Sequence, residues 1–130
     1  MLRRNLLLGV AGVAVLGVTG CATHPVSVQQ ATELPAAQLR TCIKRAAHRR
    51  GWRVVTDEPG KMRIKYVKGP HVLVAAVTYD NEGYMIEAVK EGSTLFNKDG
   101  TAHRKVNSWT ANLTVTIREE ENKILLRQTN

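Results

Sequence analysis

The sequence predicts an α+β fold: a helix, a four-stranded antiparallel sheet and a second helix, with both helices on one face. Three patterns predict it. An apolar stripe at three- and four-residue spacing runs through 35–50. Alternating, turn-bounded segments then fill 52–90, and a second stripe at helical spacing begins at Val106.

The segment before these elements has the order of an export signal. Arg3 and Arg4 make a positive start, and Leu6 to Val18 carry no charge. The run closes on Val18-Thr19-Gly20-Cys21, which resembles the lipobox of bacterial lipoproteins. Leu6 to Gly20 is shorter than the roughly 20 apolar residues that a membrane span needs. The resemblance implies that residues 1–20 are removed and that Cys21 receives lipid. Ala22 follows, where an aspartate would retain a Gram-negative lipoprotein in the inner membrane. The implied location is therefore the periplasmic face of the outer membrane, with the membrane itself as first partner.

Residues 21–34 are expected to form the lipidated cysteine and a flexible tether. The stretch from Ala22 to Leu34 shows no sustained periodicity and carries Pro25 among small polar residues. As a coil it would hold the domain roughly 20 Å from the bilayer, and fully stretched about 40 Å. A single domain over 35–130 follows.

Pro35 opens the first helix and Gly51 suits its C-terminal cap. Leu39, Cys42, Ile43, Ala46 and Ala47 form the apolar stripe. Lys61 to Tyr66 alternates, with Lys61, Arg63 and Lys65 in one row. Pro59-Gly60 and Gly69-Pro70 mark the turns around it. His71 to Tyr79 is apolar in both rows and suits a central strand. Asp80 to Gly83 is hairpin chemistry, with Gly83 available for a positive φ. A polar loop spans Gly92 to Gly100. Val106, Trp109, Leu113 and Ile117 then recur at helical spacing, although Leu113, Val115 and Ile117 also alternate as a strand would. The charged run Arg118 to Lys123 suits an exposed helical turn.

The chain has a net charge of +8. Without Arg3 and Arg4 the mature part keeps about +6. Export points that charge away from nucleic acid and toward lipid head groups, lipopolysaccharide, cell-wall polymer or an envelope protein. Of the two cysteines, Cys21 is expected to be acylated, which leaves Cys42 without an intramolecular partner. Cys42 lies on the apolar stripe and reads as a small core residue.

The signal, Arg50-Gly51-Trp52, Pro59-Gly60 and the stretch from His71 through Tyr79-Asp80 to His103, Asn107 and Trp109 resemble a family of small Gram-negative lipoproteins. The family pattern is Arg-Gly-Trp, then His, Tyr-Asp and Asn-x-Trp. Val106 and Ala88 depart from it, each replacing an aromatic residue. The resemblance implies localisation and fold and carries no activity.

No zinc-type histidine spacing, phosphate-binding glycine loop or nucleophile elbow is present in the sequence. A non-enzymatic domain without metal or cofactor is therefore expected. Two surfaces stand out. The basic row Lys61, Arg63 and Lys65 belongs on an open sheet face. His71, His103 and Asn107 define a polar pocket between the last helix and the sheet, because His103 and Asn107 share a helical face. The first suggests an interaction module and the second a small-ligand or sensor domain.

Overall fold

The computed structural model describes residues 22–129; the signal segment and Cys21 lie outside them. In chain order the elements are β1 (Ala22–Thr23), β2 (Val28–Ala31), α1 (Ala36–Arg49), β3 (Arg53–Glu58) and β4 (Lys61–Lys68). They continue with β5 (His71–Tyr79), β6 (Gly83–Val89), β7 (Ala102–His103) and α2 (Lys105–Thr129).

The main sheet has five strands, not four, in the order β2-β6-β5-β4-β3, and every pairing is antiparallel. A separate two-stranded sheet joins β1 to β7. Both corrections come from the segment read as a tether. Val28 to Ala31 pair with Ile86 to Gly83 along the outer edge of β6. Ala22 and Thr23 pair with His103 and Ala102. Strands of four and two residues are too short for a two-residue hydrophobic period to register in sequence. What holds them is an exposed row of backbone N–H and C=O groups on a neighbouring strand.

Strand β5 lies in the middle of the sheet, which is why both of its rows are apolar. One row, Leu73, Ala75, Val77 and Tyr79, joins Met62 and Ile64 of β4 and Tyr84 and Ile86 of β6 in the core. Leu39 and Ile43 of α1, with Val106, Leu113 and Ile117 of α2, belong to that same cluster. Among the described residues, no helix covers the opposite sheet face.

Helix α1 ends in a Schellman cap. The Gly51 amide donates to the His48 carbonyl and the Trp52 amide to the Ala47 carbonyl, with Gly51 at φ 85°. That cap delivers Trp52 to the core at 5 % exposure. Trp52 and Trp109 then flank Tyr66, with ring centroids 5.4 and 4.8 Å from it.

Residues 112–118 are helical. Leu113 and Ile117 are fully buried while Val115 is 47 % exposed, the arrangement of a helix rather than a strand. The threonines that mimic a strand pattern satisfy their hydroxyls inside the helix. Thr110, Thr114 and Thr116 donate to the carbonyls of Val106, Thr110 and Asn112 at 3.3, 2.9 and 3.2 Å. The Arg118–Lys123 stretch is not uniformly exposed: Glu120 and Glu121 are buried.

The role of Gly83 also differs from its sequence reading. It has no positive φ. The turn is instead held by Asp80, whose carboxylate accepts from the amides of Glu82 and Gly83 at 2.8 and 3.1 Å. Glycine is required because β2 lies against it. A Cβ there would drive into the Gln30 carbonyl and meet the Ala31 Cα at 3.1 Å. Gly83→Ala should therefore destabilise the fold by about 1–3 kcal/mol, typical of overpacking, and lower Tm accordingly. An unchanged Tm would show that β2 does not occupy this edge.

Candidate functional site

The row Lys61, Arg63 and Lys65 projects from the helix-free face of β4, roughly 7 Å apart along the strand. Lys61 is exposed and the other two are half-buried. Arg53 of β3 stands opposite Lys65, extending the row sideways. On the other flank the row meets Thr78, Ala76 and Val74 of β5. These in turn face Met85, Glu87 and Val89 of β6. The open face thus grades from a basic edge through a small apolar centre to Glu87. Val74 is only 6 % exposed, because the chain at Gly92 and Ser93 folds over it. The Ser93 hydroxyl accepts from the Val74 amide at 2.8 Å and itself donates to the Val89 carbonyl.

The polar-pocket residues are only partly assembled. The His71 and His103 rings stand 5.9 Å apart between centroids, tilted by 44°. His103 Nδ1 accepts from the Lys105 amide at 3.1 Å, at the start of α2. Asn107 is committed elsewhere. Its side-chain oxygen accepts from the Val26 amide at 2.9 Å, and its nitrogen donates to the His24 carbonyl at 3.1 Å. Asn107 therefore holds the 24–26 segment against α2, joining the chain before β2 to the chain after β7.

A third region was not legible in sequence. Between α1 and α2 runs a groove of about 400 Å³ lined by Lys44, Arg45, His48, Arg49, Glu120 and Lys123. Most of its charge is paired. Arg49 reaches Glu119 at 3.0 Å and Glu120 at 2.9 Å, and Lys123 reaches Glu120 at 3.1 Å. Lys44 and Arg40 share Asp57 at 3.1 and 2.6 Å. Burial raises the Glu120 carboxyl, but the hydrogen bonds from Lys123 and Arg49 outweigh it and leave its pKa lowered. Hydrogen bonds from Arg40 and Lys44 likewise hold Asp57 below the usual carboxylate range. The groove is thus an ion-pair network that Arg45 and His48 also line. The only available sequence signal was a run of glutamates 70 and 71 residues from Arg49.

Deeper between the helices and the sheet lies a second polar group. Glu121, 8 % exposed, accepts from the Thr32 hydroxyl at 2.6 Å. Burial raises its carboxyl. Burial, followed by the Glu121 charge, raises the phenol of Tyr84 and pushes the Cys42 thiol up to about 11. A thiol held there is protonated at neutral pH and is no nucleophile. The buried hydroxyls of Tyr79 and Tyr84 make no hydrogen bond to any described residue. Among the described residues, no group of three or more His, Cys, Asp or Glu side chains is arranged to hold a metal ion. No helix among them is long and apolar enough to cross a membrane.

The geometry defines a small α+β domain with a basic sheet face and a polar seam between its helices. Comparison finds no matching protein family, no matching curated protein and no matching solved structure.

Two substitutions probe the polar contacts. Asn107→Ala removes two hydrogen bonds that fix the 24–26 segment and should cost about 1–2 kcal/mol in a denaturant titration. Full retention of stability would show that the segment is not held by α2. Glu121 has its folded pKa raised above 4.5. Its stabilising contribution is therefore complete below pH 4.5 and is lost as pH rises through the folded value. Glu121→Gln keeps an acceptor for Thr32 and removes the buried charge. Its Tm, relative to the parent, should be higher at pH 7.5 than at pH 4; the reverse ordering would contradict a buried, destabilising carboxylate.

Proposed function

We propose that the chain is a lipid-anchored, non-enzymatic binding module at the periplasmic face of the outer membrane. Its open sheet face meets an anionic polymer of the cell envelope. One observation carries this reading, the alignment on one sheet face of four cations without ion pairs among the described residues. On the helix side, Arg40, Lys44, Arg49 and Lys123 are in ion pairs, while Arg45, Arg50, Arg118 and Arg127 are not, among the described residues. On the sheet face, Arg53, Lys61, Arg63 and Lys65 make none among the described residues, although Glu58 stands opposite Lys61.

A row of unpaired cations on a rigid sheet keeps its backbone spacing fixed, so a repeating anion can engage several at once with only the side chains left to order. The chemistry in view is phosphate- or carboxylate-rich: lipopolysaccharide core or cell-wall polymer. A lipid on Cys21 would place the face within reach of either.

A second reading, a small-ligand or sensor domain, has the approach of the His71 and His103 rings in its favour. The two readings separate by mutation. His103→Ala leaves polymer binding intact under the first and abolishes ligand response under the second.

The first reading is tested with the mature chain and purified lipopolysaccharide or cell-wall preparations. Binding should weaken steadily as salt shortens the screening length. The triple substitution Lys61→Gln, Arg63→Gln, Lys65→Gln should keep the fold and lose about tenfold to a hundredfold in affinity. Salt-independent binding, or full binding by the triple variant, would defeat it. Capture of an acidic envelope protein instead of polymer would redirect the same face to a protein partner.

A further inference from the structure

We infer that the end of the domain carrying β1 and β7 lies directly on an anionic phospholipid surface. The inference rests on the lipidation of Cys21, and it replaces the idea of a domain swinging on a long tether. Ala22 is already in the two-stranded sheet, paired with His103. Consecutive Cα atoms are about 3.8 Å apart, so an acylated Cys21 could not stand away from that sheet. The reach available to a coil of thirteen residues collapses to that of a single residue.

Three sets of contacts gather the neighbouring chain at this end. The His71 ring packs beside His103, which brings in the β4–β5 turn and Lys68, paired with His71. Asn107 ties down His24 and Val26. The Asn97–Thr101 turn closes through the Asn97 amide and the Thr101 carbonyl, and Phe96 bridges to Ala102. The turn's Asp99 carboxylate accepts from the Thr101 hydroxyl and amide.

The charges gathered there have one dominant sign. Lys68, Lys98 and Arg104 are exposed, and Lys105 is half-buried. None of the four is in an ion pair among the described residues. Asp99 is the exposed acidic group in the same turn, its carboxylate engaged by the Thr101 hydroxyl and amide. At the far end of β5, about 30 Å away along the strand, the hairpin carries Asp80 and Glu82. Lys61, opposite Thr78, lies at that far end, and Glu91 lies near the other, so the β1–β7 end is the more cationic of the two. Cations near an anionic membrane each strengthen binding, and an anchored end needs no search to find the surface. The strands then stand off the bilayer and leave the basic β4 face open to the envelope.

The test uses the full chain, purified in lipidated form from membranes and reconstituted into phosphatidylglycerol-containing vesicles. Acylation of Cys21 is measured first, by mass and by its loss in Cys21→Ser. Fluorophores are then placed through Lys98→Cys or Glu82→Cys, since Cys42 is 1 % exposed and its thiol stays protonated. A lipid-phase quencher should quench position 98 strongly and position 82 weakly. Removing Lys68, Lys98 and Arg104 as glutamines should reduce membrane affinity of the unacylated Cys21→Ser chain about fivefold per charge.

Equal quenching at 98 and 82 on an acylated chain overturns the inference and leaves the anchor standing. An unacylated Cys21 overturns the anchor and the inference together. Unchanged vesicle affinity in the glutamine variant removes the electrostatic part of the contact.

Discussion

Strand β6 would present a row of unpaired backbone donors and acceptors along its outer edge if β2 did not cover it. Val28–Ala31 pair with that edge in register, and much of the molecule depends on this pairing. It fixes the chain before α1, and the Thr32 amide continues it by donating to the Glu82 carbonyl at 3.0 Å. It forces residue 83 to be glycine. It also brings Thr32 over Glu121 and Gln30 within 3.0 Å of Arg118, so the edge strand is tied to α2 as well as to the sheet. A four-residue strand with so many dependants acts as a clasp.

The distribution of charge follows from the same architecture. Antiparallel packing of α1 and α2 brings Arg49 and Arg50 of one against Glu119, Glu120 and Thr116 of the other. Carboxylates near the helix interface must be paired or protonated. Glu120 is paired with Arg49 and Lys123, whereas Glu121 has only the Thr32 hydroxyl, and burial raises its carboxyl. The ion pairs on this side use acidic residues that could otherwise have offset cations elsewhere. The cations of the β4 face and of the β1–β7 end are without ion pairs among the described residues, as are Arg45, Arg50, Arg118 and Arg127 on the helix side. Both proposals made for this protein come from the first two of these sets, one for each surface.

Legibility in the sequence followed length and locality. The stripe of α1, the alternation of β4 and the two-sided apolar run of β5 are long enough for their periods to be counted. Gly51 was readable because its cap uses neighbours within five residues. Residues 28–31 were not readable, since four residues hold only two repeats and the partner lies more than fifty positions away. Gly83 was recognised as necessary but for the wrong reason, because the backbone that crowds it belongs to the unrecognised strand. Glu120 and Glu121 looked solvated within a charged run, and only the distant helix α1 and Thr32 make them otherwise. The basic row of β4 was fully legible, whereas Asn107 was grouped with the histidines by helical spacing and instead grips His24 and Val26. Local pattern shows which way a side chain faces; it does not show which segment returns to meet it.

The central claim is that residues 22–32 belong to the folded domain. Site-resolved amide hydrogen exchange on the mature chain tests it most directly. The Val26 amide, donated to Asn107, and the Thr32 amide, donated to Glu82, should exchange far more slowly than in an unfolded peptide of the same sequence. Exchange of both at the unfolded rate, while β4 and β5 stay protected, would contradict the account and restore a free tether.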